Sequence, residues 1–160
     1  MNIVLFEPEI PQNTGNIART CVVTNCSLHL IKPLGFSISE KQVKRAGLDY
    51  WEFLDLQIYE DYKDFMQKNL LGNKYYFTTK AKKTYVDIDY QEDDYLIFGP
   101  ESRGIPEEIL IDNYDASMRI PMGDKFRSLN LSNAVAIVTY EALRQLEFPN
   151  MSLTGQLSNS

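Results

Sequence analysis

Short apolar runs and amphipathic stretches alternate along the chain, and each change of period marks an expected element. Asn2–Phe6 is an almost unbroken apolar run and predicts a first strand. Thr14–Asn25 predicts a helix, with Ile17, Ala18, Cys21 and Val22 on its apolar side. Leu28–Ile31 predicts a second strand. Ser39 to Gln42 form a capping-box pattern, so a short helix follows and stops near Gly47. Asp61–Leu71 is another helix candidate, and Lys74–Thr79 and Tyr95–Phe98 are strands on either side of the acidic stretch Asp87–Asp94. Pro106–Ile111 fits a short helix with proline in its first turn. Ser117–Met122 is a last strand. Ser132–Leu146 is the clearest helix, with Ala134, Val135, Ile137, Val138, Ala142 and Leu146 apolar. This alternation predicts an α/β fold, a mostly parallel sheet flanked by helices. One domain over residues 1–150 and a flexible polar tail over 151–160 are expected.

In parallel sheets, ligands bind at the carboxyl ends of the strands. The loops to inspect therefore follow Phe6, Thr79, Phe98 and Met122. The first, Glu7–Asn16, carries two prolines, and Asn13 or Thr14 can cap the next helix, whose N-terminus attracts phosphate. Arg19 falls about 200° around that helix from Ile17 and Cys21, so it need not be buried with them. The same residues also fit a plain capped turn beside a solvated arginine. In the second loop, Gly99 and Gly104 have the spacing that opens a P-loop, but Ile105 and Pro106 stand where Lys and Ser or Thr are needed. No G-x-G occurs anywhere, so a dinucleotide fingerprint fails as well. What remains is a glycine-bounded loop that brings its backbone close to a ligand, or simply a tight turn. The third loop runs from Arg119 to Asn133 and sets Ser128, Asn130, Ser132 and Asn133 before a strongly apolar helix.

Composition narrows the chemistry. Apolar residues make up 44% and charged residues 24% of 160, an ordinary globular balance. No apolar run approaches the ~18 residues a membrane span needs, and no signal peptide is evident. A cytoplasmic protein with no membrane partner is expected. The single histidine, His29, sits in a strand-like run and reads as structural rather than catalytic. With one histidine and two cysteines, Cys21 and Cys26, no metal site is expected. Both cysteines read as small buried hydrophobes. The net charge of −6 argues against non-specific nucleic-acid binding. Lys41, Lys44 and Arg45 are local exceptions, as are Lys80, Lys82 and Lys83; each group is a solvated face or a phosphate-binding patch.

The three loops, in this order, resemble the SPOUT superfamily of RNA methyltransferases. The similarity is closest to the small single-domain tRNA (cytidine/uridine-34) 2′-O-methyltransferases of the TrmL or YibK type. It rests on NIVLFEPEIPQNTGNIART (2–20), KRAGLDY (44–50), YFTTK (76–80), DYLIFGPESRGIP (94–106) and RIPM with RSLNLSNAVAIVTYEALRQL (119–146). The resemblance implies a deep trefoil knot near the C-terminus, a rare exception to unknotted topology. It implies S-adenosylmethionine as methyl donor, with S-adenosylhomocysteine as product, held by Phe77, Thr78, Gly99, Glu101, Gly104, Ile120, Met122, Ser128 and Leu129. It further implies a homodimer, built on the first and last helices, that forms the RNA site between subunits. Arg19 matches the first-motif arginine, expected to hold a phosphate and stabilise the developing alkoxide; a guanidinium does not serve as the base. Ser128 and Tyr140 match polar positions expected to orient the nucleophile or substrate. Asn13, Lys41, Lys44 and Arg45 are the RNA-contact candidates.

The implied reaction is methylation of the ribose 2′-hydroxyl of the wobble nucleotide, C or U at position 34, in the anticodon loop of tRNA, with leucine tRNAs as expected substrates. An unpaired loop nucleotide suits a small enzyme. The alternatives are a 2′-O-methyltransferase for another RNA and a catalytically silent knotted RNA-binding protein.

Overall fold

The computed structural model describes residues 1–38 and 50–157. In chain order the elements are β1 (Asn2–Phe6), α1 (Pro11–Val23), β2 (Ser27–Ile31), a 3-10 turn at Trp51–Phe53, β3 (Leu56–Tyr59), α2 (Tyr62–Lys68), β4 (Lys74–Phe77), β5 (Lys83–Thr84), β6 (Tyr95–Phe98), α3 (Glu107–Asp112), β7 (Ser117–Arg119) and α4 (Leu131–Gln145). Two further 3-10 turns, Tyr85–Asp87 and Tyr114–Ala116, lead out of β5 and into β7. The seven strands form one sheet in the order β3-β2-β1-β6-β4-β7-β5. Every pairing in it is parallel.

Side chains of a strand alternate between faces, and β1 divides the core accordingly. Ile3 and Leu5 pack with Ile17 and Cys21 of α1 and Val135, Val138 and Ala142 of α4. Val4 and Phe6 pack with Phe65 of α2 and Leu110 of α3 on the opposite face. Central strands covered on both sides carry near-continuous apolar runs, which is why β1 and β6 were legible as buried strands. Burying each such Leu or Ile contributes about 1.5–3 kcal/mol.

The boundaries differ from the expected pattern in physically distinct ways. Helix α1 begins at Pro11, three residues before Thr14, with Ile10 as an N-cap that lends no side-chain bond. Proline suits a first helical position, since its missing amide hydrogen has no partner there anyway. Asn13 and Thr14 are thus buried members of the first turn, not caps. Strand β7 ends at Arg119 rather than Met122, because Pro121 lacks an amide donor and holds Ile120 out of the ladder. Strand β4 ends at Phe77 rather than Thr79. The edge strand β3 and the two-residue β5 are additions to the expected elements. The helix expected after Ser39 lies outside the described residues.

His29 is structural, as expected. It is buried, with Nδ1 2.8 Å from the Tyr59 hydroxyl and Nε2 3.2 Å from Asn2 Oδ1. Burial pushes its pKa down to about 4. Cys21 and Cys26 are free and buried, and burial raises both thiol pKa values.

Candidate active site

Parallel strands end on one edge of the sheet, so the loops leaving β1, β6, β4 and β7 emerge beside one another. They surround a cavity of about 500 Å³. Its floor carries Phe77 and Phe98, register partners at the ends of β4 and β6. Their rings stack with centroids 4.8 Å apart and planes inclined by 15°. Ile105, Ile120, Met122, Leu129 and Ala134 add apolar wall, while Thr78, Ser102, Ser128 and Asn130 add polar groups. A concavity of this size, with an aromatic floor and walls of mixed polar and apolar character, suits a ligand of nucleoside dimensions.

The walls are braced to one another through Glu101. Its carboxylate accepts from the amides of Glu9 (2.8 Å) and Ile10 (3.2 Å) and from Asn13 Nδ2 (3.0 Å). It thereby ties down the turn that leads into α1 and sets negative charge near that helix's N-terminus. Asn13 Oδ1 in turn accepts from Asn130 Nδ2 at 3.0 Å. Asn130 caps α4, with Oδ1 accepting from the amides of Ser132 (2.9 Å) and Asn133 (3.4 Å). Glu9 adds a second clasp, accepting from the Ser102 amide (2.9 Å) and hydroxyl (2.7 Å). These two bonds hold the Glu9 carboxyl below its ordinary pKa. Arg103 pairs with Glu7 across the same junction. The loops after β1, β6 and β7 are therefore one hydrogen-bonded unit.

Two glycines bound the β6 loop for different reasons. A Cβ on Gly99 would lie 2.2 Å from the Ile105 amide nitrogen and 2.4 Å from the Gly104 carbonyl carbon. Gly104 adopts φ +72°, with open space where a Cβ would stand.

The cavity collects Phe77, Thr78, Gly99, Glu101, Gly104, Ile120, Met122, Ser128 and Leu129, together with Asn13. Glu101 reaches it with both carboxylate oxygens already engaged by the first loop, which makes it a brace for the walls. Arg19 and Tyr140 do not line the cavity. Both lie on exposed stripes of the helix layer that covers one face of the sheet. On α1 the exposed positions are Gln12, Asn16, Arg19 and Val23; on α4 they are Asn133, Ile137, Tyr140 and Arg144. Each series follows helical spacing, and Val23, Ile137 and Tyr140 are respectively 45%, 38% and 45% exposed. Lys41, Lys44 and Arg45 lie outside the described residues. Of the second lysine cluster, Lys80 pairs with Glu107 at 3.3 Å and Lys83 donates to the Asp115 carbonyl at 2.9 Å.

Sequence reasoning missed the roles of Asn130 and of Arg127, which also lines the cavity. Asn130 was visible only as one of several candidate caps. Its contact to Asn13 spans 117 positions, beyond any local pattern.

Residues 1–140 match the SpoU rRNA Methylase family. The chain is 51% identical to the tRNA (cytidine(34)-2′-O)-methyltransferase of Yersinia pestis, over 96% of this chain and 98% of that one. Against the enzyme of the same name from Escherichia coli K12 the identity is 48%, again over 96% and 98%. A solved structure described as giving insight into 2-OH methylation of C/U34 on tRNA superposes with a TM-score of 0.87 at 44% identity, covering 91% of this chain and 95% of that chain. The fold also matches the SpoU methyltransferase AviRb from Streptomyces viridochromogenes, solved with AdoMet, at a TM-score of 0.84 and 19% identity, covering 92% of this chain and 60% of AviRb.

Proposed function

This chain belongs to the SpoU rRNA methylase family, and on that premise we propose that it transfers a methyl group from S-adenosylmethionine to the ribose 2′-hydroxyl of nucleotide 34, C or U, in tRNA. The observation that carries the reading is the convergence of the β4, β6 and β7 loops on one cavity, in a chain about half identical to enzymes with that named activity. The cavity fits the methyl donor: its aromatic floor and apolar wall suit an adenine, and its loop backbone offers donors and acceptors to ribose and amino acid. Phe77, Thr78, Gly99, Gly104, Ile120, Met122, Ser128 and Leu129 hold the cofactor in this reading, and Glu101 fixes the loop they share. Bound there, S-adenosylmethionine supplies an activated methyl group and a neutral thioether leaving group.

A ribose hydroxyl is a poor nucleophile near neutral pH, so the chain must align it, favour loss of its proton and exclude water. Arg19 supplies positive charge for a neighbouring phosphate and for the oxygen as it becomes anionic. Its place away from its own cavity supports a homodimer in which the α1 and α4 stripes meet those of a second copy and Arg19 serves the partner's cavity. Tyr140 on the same surface, and Ser128 on the cavity wall, orient the ribose. Lys41, Lys44 and Arg45 serve the RNA, whereas Asn13, buried with its side-chain amide bonded to Glu101 and Asn130, braces the loops instead. The trefoil knot belongs to the same reading: β7 enters the sheet between β4 and β5, two strands joined directly by residues 78–82. The enzyme works in the cytoplasm as a single domain, 1–150, with a short tail, and leucine tRNAs are its proposed substrates.

Transfer of labelled methyl to tRNA and to ribosomal RNA, measured side by side, tests the reading. Label in tRNA alone is expected. Label in ribosomal RNA alone would favour the reaction that the family's description names.

A further inference from the structure

We propose that Tyr50 is a positioning residue for Arg19, holding the guanidinium over its ring without neutralising it, so that its remaining donors stay free for an RNA phosphate. The proposal rests on the reading of Arg19 given above. The Arg19 guanidinium carbon lies 4.7 Å from the centroid of the Tyr50 ring. Arg19 Nη2 also reaches the Tyr50 hydroxyl at 3.5 Å, a marginal hydrogen bond. No carboxylate pairs with Arg19 among the described residues, although the chain is acidic overall. Arg103 and Arg144, by contrast, are taken up by Glu7 and Glu141.

The difference matters chemically. A carboxylate engages guanidinium N–H groups in the plane and neutralises the charge, which would leave little for a phosphate. An aromatic face binds the flat side of the cation and leaves the in-plane donors available. It also restricts a long side chain that would otherwise sample many rotamers on an exposed helix stripe. Tyr50 is itself anchored: its carbonyl accepts from the Phe53 amide at 3.0 Å, opening the 3-10 turn, and the adjacent Trp51 packs against the α1 side of the core.

The test compares Tyr50→Phe and Tyr50→Leu, measuring kcat/KM for tRNA, cofactor Kd, melting temperature and the Arg19 Nε–H resonance. A cation–π contact at a partly exposed site corresponds to roughly a three- to thirtyfold effect. Tyr50→Leu is expected to lose that factor in kcat/KM for tRNA, with cofactor Kd and melting temperature unchanged. Tyr50→Phe restores most of the activity, because it keeps the ring. The ring-current shift of the Arg19 resonance persists in Tyr50→Phe and disappears in Tyr50→Leu. In an Arg19→Lys background, Tyr50→Leu costs less than it does alone. Wild-type kcat/KM in Tyr50→Leu, or equal losses in both variants, overturns the positioning role while leaving the tRNA reading intact. A wild-type protein that methylates no tRNA overturns that reading and the positioning role together. An Arg19 resonance without a ring-current shift overturns the stack whatever the activity.

Discussion

The glycines at the two ends of the β6 loop should fail differently when replaced by alanine. At Gly99 the new methyl would stand 2.2, 2.4 and 2.8 Å from the Ile105 nitrogen and the Gly104 carbonyl and α carbons. Comfortable carbon contacts begin at about 3.5 Å, so the chain must open by about 1 Å at the root of the loop. All three obstacles are backbone, and no side chain can rotate out of the way. Overpacking of this kind costs about 1–3 kcal/mol, and the upper end applies here. Since the same loop forms one wall of the cavity, most of that cost should appear as weaker cofactor binding, roughly a hundredfold. At Gly104 there is room, with nothing within 4 Å, but φ of +72° is left-handed. Alanine there costs about 1–2 kcal/mol and asparagine less, because asparagine tolerates that conformation. Calorimetric titration with S-adenosylmethionine, beside thermal denaturation, should rank affinity as wild type, Gly104→Asn, Gly104→Ala, then Gly99→Ala. Affinity of Gly99→Ala within twofold of wild type would refute the reasoning, as would a Gly104→Asn as damaged as Gly99→Ala.

Four further outcomes follow. Glu101→Gln replaces a charged acceptor of three N–H donors and should lower stability by about 1–2 kcal/mol, seen as a lower melting temperature with weaker cofactor binding; an unchanged melt contradicts the bracing role. His29 stays neutral in the folded chain down to about pH 4, whereas the unfolded chain takes up the proton below about pH 6.5. The unfolded state then binds more protons, so stability should fall as pH drops through that window, by about 2 kcal/mol between pH 7 and 5 in urea titrations. A flat profile there, or an equal slope in His29→Asn, would remove histidine as the cause. Arg19→Ala should lower methyl transfer at least a hundredfold while leaving cofactor affinity nearly intact. If Arg19 serves the partner's cavity, co-refolded Arg19→Ala and Gly99→Ala chains should regain up to about a quarter of wild-type activity; no recovery would place both groups in one subunit.

Much of this architecture is readable from the chain because the central strands are buried on both faces. Val4, Leu5, Leu96 and Ile97 leave no polar alternation to misread. Helix α4 was equally plain, since its apolar spacing continues through four turns. The start of α1 is not legible for a physical reason: Pro11 opens the helix without a capping side chain, and the turn before it is held by Glu101, about ninety positions away. Strand β3 carries no clear strand pattern, because it is an edge strand with Gln57 and Ile58 exposed. The loop positions gathered at the cavity came from resemblance to a family, and the sheet order accounts for their meeting. Local spacing says nothing of a contact between Asn13 and Asn130, or of Arg19 resting on Tyr50.

The most direct test of the central claim is to incubate the purified protein with S-adenosylmethionine and bacterial tRNA, then map modified nucleotides by nuclease digestion and mass spectrometry. A 2′-O-methyl group confined to nucleotide 34 is the predicted result. Methylation elsewhere in tRNA, or none in tRNA under conditions where the cofactor binds, would contradict it.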